Sequence, residues 1–248
     1  MGLLDLPAPV FAALDDGMAW VLPPTPRLAL WAAIAGTCTL LLYRALSPQA
    51  RIGRAKRTAR EARQRLNRFD GEFADAGPLI KEQFVAAFKH LGLVLPSTLL
   101  SILPLLALLV WIETAYGYTY PAPGNTPTLT TVPGEFQSDW IGEGKPPEQN
   151  GERSPLRHIL VRDDEGVITE VVLTAPVPVI AQRQWWNWLV ANPLGYLPEN
   201  SALRRIEIAL PQQTYLPFGP PWVRSWMVIF FPVMLIVSLL VYRWARIE

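Results

Sequence analysis

The sequence predicts an α-helical membrane protein. It would have three transmembrane helices, a cytoplasmic helical hairpin and a small β-rich extracytoplasmic domain. Three observations carry this expectation. Half of the 248 residues are apolar, and the mean hydropathy of +0.19 is high for a water-soluble chain. Three runs, 28–43, 91–112 and 225–242, contain no Asp, Glu, Lys or Arg. Charge is also segregated: residues 44–89 hold eleven bases against five acids, and residues 114–221 hold seven bases against eleven acids. Basic loops stay on the cytoplasmic side, so the chain is expected to run N-terminus out and C-terminus in, in a plasma (bacterial inner) membrane.

Residues 1–27 read as an extracytoplasmic interfacial segment. Pro7 to Trp20 suits a short helix lying on the outer surface, with Trp20 at headgroup level. Leu22-Pro23-Pro24-Thr25-Pro26 is expected to end that helix before the first span. The first residues lack a basic n-region, so no cleavable signal peptide is expected. The first span, 28–43, has 16 residues between Arg27 and Arg44. That is roughly 24 Å of helix at about 1.5 Å per residue, shorter than a hydrocarbon core of about 30 Å. Snorkelling arginines and a thinned bilayer would cover the difference. Cys38, the single cysteine, is expected to pack inside this span as a structural thiol.

Residues 44–90 read as a basic cytoplasmic hairpin of coiled-coil type. Ser47 is expected as the N-cap, with Pro48 at the first helical position. The first arm has a narrow stripe of Ala50, Ile52, Ala55, Ala59, Ala62 and Leu66. Around it lie Arg51, Arg54, Lys56, Arg57, Arg60, Arg63, Arg65 and Arg68, a candidate contact surface for anionic lipid, ribosomal RNA or acidic partners. Residues 67–77 make the turn. The return arm starts near Pro78 and carries a stronger apolar face in Leu79, Ile80, Phe84, Val85, Phe88 and Leu91. The second span, 91–112, contains Pro96 and Pro104, where a membrane helix usually kinks. Ser97, Thr98 and Ser101 on its cytoplasmic half either hydrogen-bond another helix or line a slot that admits water.

Residues 113–224 read as the β-rich domain. Tyr116, Tyr118 and Tyr120 follow the span at the interface. Residues 121–156 read as loop with one strand at 128–132. A hairpin over 158–172 turns at Asp163-Asp164-Glu165-Gly166, more simply a turn than a calcium site. Residues 184–191, with Trp185, Trp186 and Trp188, read as a short helix resting on the membrane or on the small domain. Residues 204–210 read as another strand. The third span is 225–242, and Arg243 and Arg246 mark residues 243–248 as a cytoplasmic tail.

No catalytic constellation is visible: there is no P-loop, GxSxG, HExxH or GxGxxG. The expected topology puts His90 and His158 on opposite sides of the membrane. The spans hold no ionisable group, which argues against an ion-coupled transporter. The expectation is a protein that is not an enzyme, with no cofactor and no small-molecule substrate.

The order of elements resembles the YidC/Oxa family of membrane-protein insertases, including its short archaeal and eukaryotic relatives. The carrying segments are the span 28–43, Ser47-Pro48-Gln49 with its arginine-rich helix, the return arm 78–91, the proline-bearing span 91–112 and the last span 225–242. The likeness is of architecture and covers roughly residues 25–112 and 222–246. It implies a short polar groove between the spans, facing the cytoplasm, that eases a client membrane protein into the bilayer. Its candidate residues are Thr37, Thr39, Arg44, Ser97, Thr98 and Ser101, with Arg44 at the mouth. Two features depart from the family plan: no base lies within the first span, and a domain of roughly 110 residues separates the last two. The alternative is a non-catalytic subunit or anchor of an envelope complex, binding a partner through its extracytoplasmic domain.

Overall fold

The computed structural model describes residues 2–72, 76–141, 157–163 and 166–245. The chain divides into two compact units: Pro26–Leu106 with Phe230–Glu248, here the helical unit, and Met1–Thr25 with Ala107–Ile229, here the β unit. The helices are α1 (Ala8–Ala19), α2 (Pro24–Leu46), α3 (Gln49–Asn67), α4 (Gly77–Tyr116), α5 (Pro221–Arg224) and α6 (Met227–Ala245). Among the described residues α2, α4 and α6 are long and apolar enough to cross a membrane.

In the helical unit, α2 differs from its expected form. Pro24 and Pro26 do not stand outside the helix; they occupy its first turn, where the missing N–H has no partner to lose. With 23 residues, α2 measures about 34 Å, longer at both ends than the uncharged run 28–43. Its buried face is Leu28, Trp31, Ala32, Ala35 and Gly36. A Cβ at Gly36 would stand 2.7 Å from Ser238 Oγ and 2.9 Å from the Met234 carbonyl oxygen. Helix α6 therefore comes against α2 at that glycine, the kind of close approach that small residues permit. Cys38 is exposed rather than packed.

The junction after α2 also differs from the expected cap. Pro48 itself occupies the N-cap of α3 and no side chain caps the helix. Ser47 is buried; its amide donates to the Tyr43 carbonyl at 2.9 Å and its hydroxyl accepts from the Gln49 side-chain amide. Of the predicted stripe of α3, Ile52, Ala55 and Ala62 are buried, Ala59 and Leu66 half-buried, and Ala50 in the first turn is exposed. The return arm behaves otherwise. Phe84, Val85, Phe88 and Leu91 are exposed, and Ala86 is buried instead. Arg65 and Glu82 pair at 2.8 Å between the two arms.

Helix α4 is one element where two were expected. Its 40 residues run unbroken through Pro96 and Pro104, from the return arm into the apolar run. Each proline forfeits one backbone donor, an absence that does not end a helix whose other bonds persist. Helix α6 matches the third expected run and holds Pro232.

The β unit contains two three-stranded antiparallel sheets. One is ordered β1 (Leu129–Val132), β6 (Arg205–Ile208), β5 (Val179–Ala181); the other is β2 (Gln137–Ile141), β3 (Arg157–Asp163), β4 (Gly166–Leu173). Strands β1, β3, β4 and β6 coincide with predicted ones. Strand β2 falls in the stretch read as loop, where Gln137, Ser138 and Asp139 make it mostly polar, and β5 is a three-residue strand in a stretch given no element. Of the turn Asp163-Asp164-Glu165, residues 164 and 165 lie outside the described residues. Ile159, Val161, Val171, Leu173, Ile180, Leu203, Ile206 and Ile208 form the core. The tryptophan segment is a 3-10 turn, Trp185–Trp188, whose three indoles are exposed.

Two substitutions check these packings. Gly36→Leu should part α2 from α6 and lower the melting temperature of the detergent-purified chain by several degrees, whereas Gly92→Leu, where a Cβ meets nothing within 4 Å, should leave it unchanged. Ile206→Ala should cost the β unit about 2–5 kcal/mol, read by chemical denaturation.

Candidate functional site

The predicted groove residues separate into three groups. Ser97 and Ser101 are buried, Thr37, Thr39 and Thr98 half-buried, and Arg44 exposed in the last turn of α2. Ser97 Oγ donates to the Leu46 carbonyl at 3.3 Å, fastening α4 to the end of α2. Thr98 Oγ1 donates to Val94 O at 3.0 Å and Ser101 Oγ to Thr98 O at 2.9 Å, both within α4. These three hydroxyl protons are thus spent on backbone carbonyls, which lowers the cost of carrying them in apolar surroundings. Thr37 and Thr39 make no hydrogen bond to them among the described residues.

Of the predicted basic surface, Arg51, Arg54, Lys56, Arg57, Arg60, Arg63 and Arg65 are exposed on α3 and Arg68 is exposed just past its end; Arg65 is engaged by Glu82. Beside it in the same unit lies a feature that periodicity found and misassigned. The exposed side chains of α4 continue from Phe84 and Phe88 through Leu91, Leu95, Leu99, Leu103 and Leu106. Steps of three and four keep them on one side of the helix. Phe84 and Phe88 stack with ring centroids 6.4 Å apart. The stripe therefore begins among charged residues, before Lys89, and ends in the uncharged run.

The β unit carries a second constellation, which was not foreseen. Helix α1 does not merely lie on a surface. Its Asp15 is buried and accepts from the Tyr116 hydroxyl, and Phe11 packs on Trp111 with centroids 5.8 Å apart. Asp5 Oδ2 accepts from the backbone amides of Ala191 at 2.6 Å and Gly2 at 3.0 Å, and Leu4 N donates to Leu189 O at 2.9 Å. Trp226 Nε1 donates to Glu113 Oε2 at 2.8 Å. The N-terminal segment is thus strapped to the last turns of α4 and to the segment after the tryptophan turn. The sequence signal was the pair of acids, Asp15-Asp16, inside an otherwise largely apolar run.

Among the described residues no group of three His, Cys, Asp or Glu stands where it would hold a metal ion. His158 Nδ1 lies 2.8 Å from Glu170 Oε1 on the neighbouring strand, a surface pair. Tyr120 donates to Leu173 O at 3.1 Å, with the Arg157 guanidinium 4.0 Å from its ring centre. Burial pushes its phenol above the usual value, and the Arg157 charge opposes that shift.

These features define a class: an α-helical chain compatible with an integral membrane protein, its three apolar helices accompanied by a small β unit. Compared with protein-family models, curated proteins and solved structures, the chain matches none.

Tyr120 yields a pH dependence. Its folded-state pKa is raised, so the folded state holds the proton more tightly than the unfolded chain. Its contribution is intact below pH about 10 and is lost as pH rises through the folded value. Melting temperatures from pH 8 to 11.5 should therefore fall less steeply at the alkaline end in Tyr120→Phe than in the parent chain.

Proposed function

We propose that the protein is an insertion or assembly factor for membrane proteins, of the kind the YidC/Oxa resemblance implies. It would sit in a plasma (bacterial inner) membrane with the α3–α4 hairpin in the cytoplasm, the N-terminus outside and the C-terminus inside. The observation that carries the reading is the uncovered apolar stripe of α4. It starts at Phe84 and Phe88, within the basic hairpin, and continues through Leu91 and Leu95 to Leu106. A client segment passing along it would exchange water for apolar contact before reaching lipid, at about 25 cal/mol per Å2 of apolar surface covered. The arginines of α3 would attract acidic client or lipid groups at the entrance. The hydroxyls of Ser97, Thr98 and Ser101 would contribute acceptor oxygens rather than free donors, since their protons are already engaged.

A second reading is favoured by a different observation. The β unit has its own core and exposes Trp185, Trp186 and Trp188, a composition suited to holding a partner or the membrane surface. On that reading the spans anchor the β unit within an envelope complex.

Reconstitution into liposomes separates the two. Insertion of a single-span client with a short translocated tail should rise in the presence of the parent protein. Phe84→Asp with Phe88→Asp should cut it at least fivefold at equal protein level. Insertion unaffected by the protein, together with a stoichiometric partner retained through mild-detergent purification, would establish the anchor reading instead.

A further inference from the structure

The strap of the N-terminal segment leaves a cavity of about 530 Å3 within the β unit. Ala8 and Ala12 of α1 form one wall, Val110 and Trp111 of α4 a second, and Pro193 belongs to a third. The volume falls in the range of sites that take organic ligands of moderate size, about 300–1,000 Å3. Four polar residues also line it, and their hydrogen bonds decide its character.

Asp5 Oδ2 already accepts two backbone amides. Thr114 Oγ1 donates back to Val110 O at 3.4 Å. The Asn192 side chain gives its amide to Val179 O at 2.7 Å and takes the Leu194 amide at 2.9 Å. The Tyr196 hydroxyl accepts from the Asn192 amide at 3.1 Å. Asp5 Oδ2, Thr114 Oγ1 and the Asn192 side chain are engaged at home, and the Tyr196 hydroxyl is engaged as an acceptor. The lining is mostly apolar, so the larger gain for a ligand is burial of apolar surface.

Position narrows the class further. Val110, Trp111 and Thr114 straddle the point where the uncharged run of α4 ends at Ile112 and Glu113 begins. The wall formed by α1 belongs to a helix that ends at Ala19, five positions before α2 starts at Pro24. Both neighbours of the cavity thus lie next to membrane-crossing segments, at the depth where acyl chains meet water. The surface nearby is apolar as well. Leu3, Leu6 and Val10 are exposed, as are the indoles of Trp185, Trp186 and Trp188, and the Leu4–Leu189 hydrogen bond joins the two segments. Tryptophan is the side chain most at home at a lipid–water boundary.

From this we infer that the cavity between α1, the Tyr116 end of α4 and residues 191–196 is a binding site for one acyl chain of a membrane lipid. The strap formed by Asp5 and Asp15 holds the site's α1 wall in place. The inference is independent of the insertion reading, since it requires only that the chain sits in a bilayer.

The full chain in nanodiscs containing a phospholipid with a mid-chain diazirine tests it. After illumination and digestion, adducts should concentrate on 8–12, 110–114 and 191–196, beyond the labelling of the outward faces of the spans. Ala12→Trp fills the cavity and should lower those adducts at least fivefold, with labelling of α6 unchanged. Ala8→Leu, a smaller filling, should give an intermediate loss, and retention of the near-ultraviolet circular dichroism reports that either variant is folded. Adducts confined to the outward faces of the spans in the parent chain would overturn the assignment. So would adducts at the three segments that persist undiminished in both filled variants.

Discussion

Polar groups surrounded by apolar matter must find partners within the protein, and the structure is arranged around that requirement. It explains why the apolar runs are helices, since a helix pairs its own backbone. It also explains what α4 does with its hydroxyls. Ser97 reaches the Leu46 carbonyl at the C-terminal end of α2, where helical carbonyls lack an N–H partner. Thr98 and Ser101 turn back onto carbonyls of α4 itself. The same rule operates in the β unit, where the buried carboxylate of Asp15 has the Tyr116 hydroxyl and that of Asp5 has two amides.

Small residues set the second level of organisation. Gly36 lets α6 approach α2, and Ile52, Ala55 and Ala62 give α3 its buried stripe. Phe84, Val85 and Phe88 stay exposed on the return arm while the Arg65–Glu82 pair joins that arm to α3, so the hairpin's apolar potential is left available for something else.

The two candidate surfaces make different chemical offers. The α4 stripe, flanked by the arginines of α3, offers an apolar track with a cationic entrance. The cavity of the β unit offers a partly open, mostly apolar space whose polar side chains already make hydrogen bonds within the protein. Neither needs a cofactor to do what is proposed for it, because both act through desolvation rather than bond making.

Composition and charge alone determined the three apolar helices, the basic hairpin, the buried stripe of α3 and strands β1, β3, β4 and β6. Each is a local pattern, a period or a run long enough to read along the chain. What tertiary structure alone decided are properties of pairs remote in sequence. The prolines at 24 and 26 joined α2 rather than ending the helix before it, because a first turn tolerates them. The return arm and second span fused into one helix, because nothing between Leu79 and Leu91 breaks it. The strap that joins Asp5 to Ala191 and Asp15 to Tyr116 spans more than a hundred residues, and no period in a sequence encodes such a meeting. Polar β2 and three-residue β5 do not declare themselves along the chain; they form because β3 and β6 present edges for them to pair with.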